Sequence, residues 1–233
     1  QTALIPVYLK TSFSDYPLFE ETRSVLTIHN LGYQGIFPPD IFPLLGLPSH
    51  LFSIEWLEFW GKVNFLKGGI AFADQLTTVS PTYAREIQTL EFSYGLEGIL
   101  NDQAAKLTGI LNGVDYTQWN PAHDPHLPAP YTPDDLQGKR ACKEDLLKRC
   151  GFSPDLMERP LFGMISRLAG QKGVDILAQV VERMMAEEAG LVILGSREEK
   201  YERLLVQLAD QYPKQMSVNV AFDEALAHQI EAG

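Results

Sequence analysis

The regular alternation of short apolar runs with amphipathic segments constrains the fold of this chain most strongly. Runs of β-branched and aliphatic residues are separated by stretches in which apolar residues recur every three to four positions. This order is typical of parallel α/β architecture, in which each helix returns the chain to the start of the next strand. The clearest helical stripe follows Gly173 and consists of Val174, Leu177, Val180, Val181, Met184 and Met185.

The pattern predicts six strands in two groups of three. The strands are residues 24–28, 75–79, 107–111, 161–165, 191–194 and 217–221. The predicted helices are residues 2–9, 62–73, 81–91, 138–150, 173–188, 198–211 and 224–231. Two such groups indicate two doubly wound units.

A proline-rich segment separates the two groups. Residues 118–137 contain five prolines between Pro121 and Pro133, which favours extended chain and excludes a helix. We therefore predict an ordered linker on the surface. The expected division is residues 1–117 in a first domain, residues 118–158 as linker and helix, and residues 159–233 in a second domain.

Charge and cysteine content narrow the possible partners and compartment. The net charge of −11 argues against nucleic acid and against an anionic membrane surface. Cys142 and Cys150 lie eight residues apart on one predicted helix, about 12 Å along its axis, too far for a disulfide bond. Two isolated cysteines suit a reducing compartment, so we expect the cytoplasm.

Common catalytic motifs are absent from the sequence. It contains no GxGxxG, no GxxxxGK[ST], no GxSxG and no HExxH. His123 and His126 have a spacing that metal ligands use, but a metal site needs three or four ligands and no third one is nearby. We therefore predict two exposed loop histidines and no metal.

The end of the first predicted strand is the first candidate site. His29 and Asn30 follow it directly, and ligands of open α/β sheets bind beyond the carboxyl ends of strands. Gly32 and Gly35 permit a close approach of the backbone to a ligand. A capped turn with a hydrogen-bonded histidine is the alternative explanation.

Asn112 and Gly113 end the third strand and are the second candidate site. An Asn-Gly pair ordinarily forms a tight turn, which is the alternative here.

The loop that follows the fourth strand is the third candidate site. Arg167 and Lys172 lie five residues apart, beside the N-terminus of a predicted helix, where backbone N–H groups and fixed charge both favour an anion. The alternative is a pair of solvated loop cations.

Two weaker candidates are aromatic. Phe222 ends the last predicted strand, where its ring could stack on a base. The acidic and aromatic run from Glu55 to Trp60 could form a platform for a sugar, or a half-buried helix or loop of the surface.

Five stretches, taken in order, resemble the glycogen and starch synthases of glycosyltransferase family 5. They are HNLGYQGIFPPDIF from His29, EFWGKVNFLKGGI from Glu58, TTVSPTYAREIQT from Thr77, GILNGVD from Gly109 and SRLAGQKG from Ser166. The resemblance implies the α/β fold called GT-B, with two Rossmann-like parallel-sheet domains, both incomplete in this chain. It also implies retaining transfer of glucose from ADP-glucose to the non-reducing end of an α-1,4-glucan, without a metal or other cofactor.

The resemblance also implies roles for individual residues. Arg167 and Lys172 would hold the diphosphate of the donor, and Phe222 would pack on the adenine. His29 would lie next to the transferred glucosyl unit, with Asn30, Asn112 and Gly113 as further substrate contacts.

Three expectations concern what the resemblance leaves open. Because the family's KTGGL and HAHDW stretches and its E-x7-E segment are missing, we expect an internal part of such an enzyme with little activity of its own. A non-catalytic module that binds a sugar nucleotide or a glucan is one alternative. A transferase of the same fold that uses UDP-glucose is the other.

Overall fold

The computed structural model describes residues 2–233, which form two compact units. The first extends to Gly113 and the second from Val114 to Gly233. Residues 118–158, predicted as linker and helix, are grouped with the second unit, because the proline-rich segment packs against the helices there.

A three-stranded parallel sheet forms the centre of the first unit. Its strands are β1 (Val25–Ile28), β5 (Gln75–Thr78) and β6 (Leu107–Gly109), in the order β1-β5-β6. Register pairs Val25 with Gln75 and Leu76 with Leu107, so all three strands end at the same edge. The first three predicted strands are confirmed, each within two residues of its predicted bounds.

Among the described residues of this unit, 2–113, there are four α-helices. They are α1 (Ile5–Lys10), α2 (Phe65–Phe72), α3 (Pro81–Glu86) and α4 (Glu97–Asp102). α2 packs closely on the N-terminal segment because Gly69 has no side chain. A Cβ on Gly69 would lie 2.6 Å from the carbonyl oxygen of Ala3. The prediction placed no helix at α4, and it extended α3 to residue 91, five residues too far.

A small antiparallel sheet, which the sequence pattern did not predict, precedes α2. It contains β2 (Ile36–Phe37), β3 (Glu58–Phe59) and β4 (Lys62–Asn64), in the order β2-β4-β3. The prediction that residues 62–64 are helical is therefore wrong. The side chain of Asn64 accepts a hydrogen bond from the N–H of Lys67, so Asn64 caps the helix and the helix begins only after it.

The second unit is an α/β sandwich around a parallel sheet of order β7-β8-β9. Its strands are β7 (Leu161–Ile165), β8 (Gly190–Leu194) and β9 (Met216–Asn219), and its helices are α5 (Gln137–Cys150), α6 (Val174–Ala186), α7 (Glu199–Gln211) and α8 (Glu224–Ala232). Each element lies within two residues of the predicted bounds. The prediction of this unit from periodicity is confirmed.

Strand β8 is buried on both faces and supplies alternate residues to two hydrophobic cores. Val192 and Leu194 pack with residues of α5 and α8. Leu191 and Ile193 pack with residues of α6 and α7. This alternation follows from the two-residue period of a strand, and it explains why the central strand is apolar throughout.

Two further observations bear on the sequence predictions. Cys142 and Cys150 are both free thiols, as their spacing predicts. Over the described range, residues 2–233, no helix has the length and apolar character needed to cross a membrane.

Candidate functional sites at the two sheet edges

His29 and Asn30 lie at the carboxyl edge of the first sheet, directly after β1. Both side chains are exposed. The Oδ1 atom of Asn30 accepts a hydrogen bond from the N–H of Gly32 at 2.9 Å, which closes a local turn. Asn30 therefore caps the turn, as the alternative explanation expected, whereas the imidazole of His29 faces a hollow.

The hollow beside His29 has a volume of about 330 Å³. Its walls are aromatic, and they include Tyr83, Phe92 and Tyr94. The hydroxyl of Tyr83 accepts a hydrogen bond from the N–H of Leu31 at 3.0 Å, which holds the loop after β1 against α3. A mostly apolar hollow with one imidazole and one amide suits a small polar ligand.

A buried pair of amides fixes the second wall of this hollow. Asn64 donates to the Oε1 atom of Gln34 at 2.6 Å, and Gln34 donates from Nε2 to the carbonyl oxygen of Tyr94 at 3.1 Å. Both amide side chains are buried. The pair connects the loop after β1, the small sheet and the loop at Tyr94, and so holds these three segments together.

Asn112 and Gly113 lie beyond the end of β6 and are exposed. β5 separates their strand from β1, and the residues that line the hollow beside His29 do not include them. The three strands do end at one edge, as predicted.

The carboxyl edge of the second sheet carries a pocket of about 410 Å³. It is lined by the last residues of β7 and β8 and by the segment after β9, and both Arg167 and Phe222 belong to its lining. Phe222 is 95% exposed, so its ring is free to contact a ligand. The structure thus brings together two of the residues predicted for a donor site, 55 positions apart in the sequence.

Lys172 lies elsewhere on the same unit. It ends the short 3-10 helix Gly170–Lys172, is exposed, and does not line the pocket that contains Arg167. Gly173 follows in the left-handed conformation, with φ of 71°, and α6 begins after it. The predicted pair of cations beside a helix N-terminus is present, but only Arg167 belongs to the pocket.

Gly195 forms the floor of the pocket and has no room for a side chain. A Cβ there would lie 1.8 Å from the carbonyl oxygen of Ser166, and φ is 154°. Its N–H donates to the carbonyl oxygen of Asn219 at 3.0 Å. Gly195 therefore holds the ends of β7, β8 and β9 together, which explains the glycine after a buried strand.

One wall of this pocket comes from the proline-rich segment. Trp119 lines the pocket and stacks on the ring of His228, with centroids 3.8 Å apart and planes 6° apart. The Nδ1 atom of His228 lies 2.5 Å from the Oδ2 atom of Asp124, and both side chains are almost fully buried, at 3% and 5% exposure. The segment is thus fixed to α8 by a buried pair.

The other charged contact near the pocket lies beside Phe222. Asp223 accepts from the N–H of Leu226 at 2.8 Å and so caps α8. It also accepts from Arg149 of α5 at 2.8 Å. Phe222 is exposed, whereas Asp223, the next residue, is held by its contacts with α8 and with Arg149 of α5.

The two loop histidines behave differently from each other. His123 is exposed, as predicted, whereas His126 is half-buried with its ring centroid 4.9 Å from that of His228. The prediction that both are exposed is therefore wrong for His126, which packs with the buried pair. Among residues 2–233, no three His, Cys, Asp or Glu side chains are grouped in a way that could hold a metal ion.

Comparison with known proteins shows which proteins this chain is similar to. The model of the starch synthase catalytic domain matches residues 1–102. Glycogen synthases from Koribacter versatilis and Fervidobacterium nodosum are each 49% identical to this chain over its whole length. Over its whole length the chain is therefore similar to glycogen synthases.

A solved structure supports this similarity. The catalytic domain of starch synthase IV from Arabidopsis thaliana, bound to ADP and acarbose, is 35% identical and has a TM-score of 0.88 over all of this chain. The predicted fold class, α/β of the GT-B type, is confirmed. The chain spans about half the length of the curated relatives it matches, 48% in each case above.

Sequence reasoning missed the buried residues that support this family site. Gln34, Asn64, Asp124 and His228 form two buried pairs, and the members of each pair are distant in the sequence. One signal was available, since a histidine in an otherwise apolar helix stripe needs a polar partner when it is buried. The partner itself could not have been identified.

Proposed function

We propose that the protein to which this chain belongs transfers glucose from ADP-glucose to the non-reducing end of an α-1,4-glucan, with retention of configuration. The identity of 49% to glycogen synthases supports the reaction class. The observation that carries the proposal is the pocket that contains both Arg167 and Phe222. A cationic fork and an exposed aromatic ring in one pocket match the two ends of a nucleoside diphosphate.

Arg167 and Phe222 divide the recognition of the donor between them. The planar guanidinium of Arg167 suits two phosphate oxygens at once, and the face of Phe222 suits a purine. We assign Lys172 to the same diphosphate as a second cation. The ADP bound to the Arabidopsis starch synthase supports this choice of donor base over uracil.

The acceleration comes from charge that develops during the reaction. The bond between the anomeric carbon and the β-phosphate oxygen breaks, that carbon forms a bond to the acceptor hydroxyl oxygen, and the hydroxyl proton passes to a phosphate oxygen of the departing ADP. Negative charge grows on the leaving ADP, so Arg167 and Lys172 stabilise the transition state more than the bound donor. In this proposal the two side chains meet that charge, and no metal or other cofactor takes part.

We place the sugar contacts on the first unit. His29 faces a hollow of suitable size, and we assign it to the transferred glucosyl unit. Asn30, Asn112 and Gly113 are the further sugar contacts in this proposal. The acarbose bound to the Arabidopsis enzyme supports an oligosaccharide acceptor. The two free cysteines support a reducing compartment, for which we propose the cytoplasm.

Assay of transfer tests the proposal directly. The chain and the longest product of its reading frame are each incubated with glycogen and either ADP-glucose or UDP-glucose. We expect incorporation of glucose from ADP-glucose by the longer product and little by the chain alone. Preference for UDP-glucose would overturn the donor, and binding of ADP-glucose and glycogen without transfer by either product would indicate a non-catalytic module.

A further inference from the structure

A second hollow in the first unit has no role in the function proposed above. It lies beside the turn between β3 and β4, has a volume of about 600 Å³, and extends from Trp60 to α4. Its lining combines two aromatic rings, Phe59 and Trp60, with four carboxylates and one lysine. The carboxylates belong to Glu55, Glu58, Glu97 and Asp102.

Trp60 is exposed and nevertheless fixed. Its side chain is 83% exposed, and its backbone is left-handed with φ of 53°, a conformation that costs a tryptophan free energy of folding. Gly61 continues the turn, and its N–H donates to the Oε1 atom of Glu58 at 2.6 Å. The edge of the indole lies against Gly95, and the ring of Phe59 packs on it at 6.2 Å.

The charges of this hollow select the chemistry of its ligand. The Nζ atom of Lys67 donates two of its three N–H groups to the backbone carbonyls of Ile54 and Glu58, and its single positive charge is outnumbered by the four carboxylates of the lining. A hydrogen bond from the Ser93 hydroxyl holds the pKa of Glu97 below its usual range, which keeps this carboxylate charged. Carboxylates repel phosphate but accept hydrogen bonds from hydroxyl groups. The lining therefore favours a neutral ligand that is rich in hydroxyls.

The hollow at Trp60 adjoins the hollow at His29. Tyr94 lines the hollow beside His29, and the next residue, Gly95, lines the hollow beside Trp60. The amide pair of Gln34 and Asn64 fixes the loop that carries both residues. A chain of linked sugars that leaves the first hollow past Tyr94 would reach the indole.

We propose that the hollow at Trp60 is a subsite for a segment of neutral α-glucan, with one glucosyl ring stacked on the indole and its hydroxyls bonded to Glu58 and Glu97. The apolar face of the sugar covers the exposed ring, and the carboxylates take the hydroxyls at its rim. The subsite rests on the proposed function, because the glucan is the acceptor named there.

Calorimetric titration with maltoheptaose tests the subsite. Trp60→Ala is expected to weaken binding about tenfold, the scale of one lost aromatic contact. Trp60→Phe retains a ring and is expected to stay within about threefold of the unaltered protein. Tyr16→Ala removes another exposed aromatic side chain of the same unit and is expected to leave the affinity unchanged.

Tryptophan fluorescence supplies a second readout that does not depend on the alanine variant. Maltoheptaose is expected to change the emission of the unaltered protein and not that of Trp60→Phe, which has lost the indole. Equal affinities of Trp60→Ala and the unaltered protein, or a change in the emission of Trp60→Phe as large as that of the unaltered protein, would overturn the subsite alone. Failure of the unaltered protein to bind maltoheptaose would overturn the proposed acceptor, and the subsite with it.

Discussion

The two units place a cavity at the same edge of a similar three-stranded sheet, but they build its walls differently. In the first unit the walls are aromatic loops, and the buried amides of Gln34 and Asn64 hold them. In the second unit the strand ends themselves form the floor, and Trp119 forms a wall held by the buried pair of His228 and Asp124.

The difference teaches what each edge can bind. The first edge offers an imidazole and an amide beside aromatic rings, and the neighbouring hollow at Trp60 adds carboxylates, which suits sugars. The second edge offers a guanidinium and an exposed ring in a pocket with a floor of strand ends, which suits a nucleoside diphosphate. In our proposal the same topology therefore serves two kinds of ligand, because the chemistry lies in the loops after the strands.

The largest effect on stability is expected from removing the buried pair that holds the wall of the cavity at the second edge. Asp124→Ala leaves His228 buried without its partner, and we expect a loss of about 3 kcal/mol in the free energy of unfolding of the second unit. Chemical denaturation followed through the fluorescence of Trp119 measures this loss. Asp134→Ala, an exposed carboxylate of the same segment, is the control and is expected to change stability little. Equal stability of the two variants would contradict the structural role of the pair.

Arg167→Ala tests the chemistry of the second edge and leaves the buried pair of Asp124 and His228 unaltered. We expect transfer from ADP-glucose to fall about a hundredfold, because one preorganised donor to the leaving phosphate is lost. Arg197→Ala is the matched control, since Arg197 is exposed nearby and does not line the pocket. Kinetic constants for transfer, measured on the longest active product, test this role of Arg167. Unchanged rates in Arg167→Ala would show this residue to be a solvated loop cation.

Asn64→Leu removes the corresponding buried support of the cavity at the first edge. The substitution removes the partner of the buried Gln34 amide and the cap of α2, so we expect a loss of about 2 kcal/mol in unfolding free energy. Maltoheptaose affinity should fall as well, whereas ADP affinity should not. A fall in ADP affinity alone would reverse our assignment of ligands to the two edges.

The smallest effect concerns the opposite end of the first sheet. Partial burial alone would raise the pKa of Asp74, but hydrogen bonds from Lys10 and Ser24 outweigh it and hold the pKa at about 2. Because the folded-state pKa lies below the unfolded value, this stabilisation is present above pH 4 and is lost as pH falls through about 2.

Asp74→Asn should therefore cost about 1 kcal/mol at neutral pH, after discounting for solvent screening, and progressively less toward pH 2. Unfolding curves at a series of pH values test this expectation. A cost that does not change with pH would show that the carboxylate charge contributes nothing.

The sequence predicted the two sheets well because their signals are local. Each strand of three to five residues has apolar or β-branched character, and the helices of the second unit carry clear stripes. The small sheet was missed because its strands span two or three residues, and its turn depends on a left-handed tryptophan that no propensity favours.

The candidate sites were predicted only in part, for a related reason. Polar residues after strand ends can be found from the sequence, and His29 and Arg167 were found in that way. The contacts that shape their cavities join residues far apart, as His228 and Asp124 do across 104 positions. Such pairs depend on tertiary packing, so a single sequence does not predict them.

Backbone amide chemical shifts, recorded with ADP and then with maltoheptaose, test the central claim most directly. The claim is that one edge binds the nucleotide and the other the glucan. ADP is expected to shift the signals of residues 165–167, 194–196 and 221–224, and maltoheptaose those of residues 29–30, 59–61 and 94–96. Shifts by both ligands on the same unit, or by neither ligand on its assigned unit, would contradict the account.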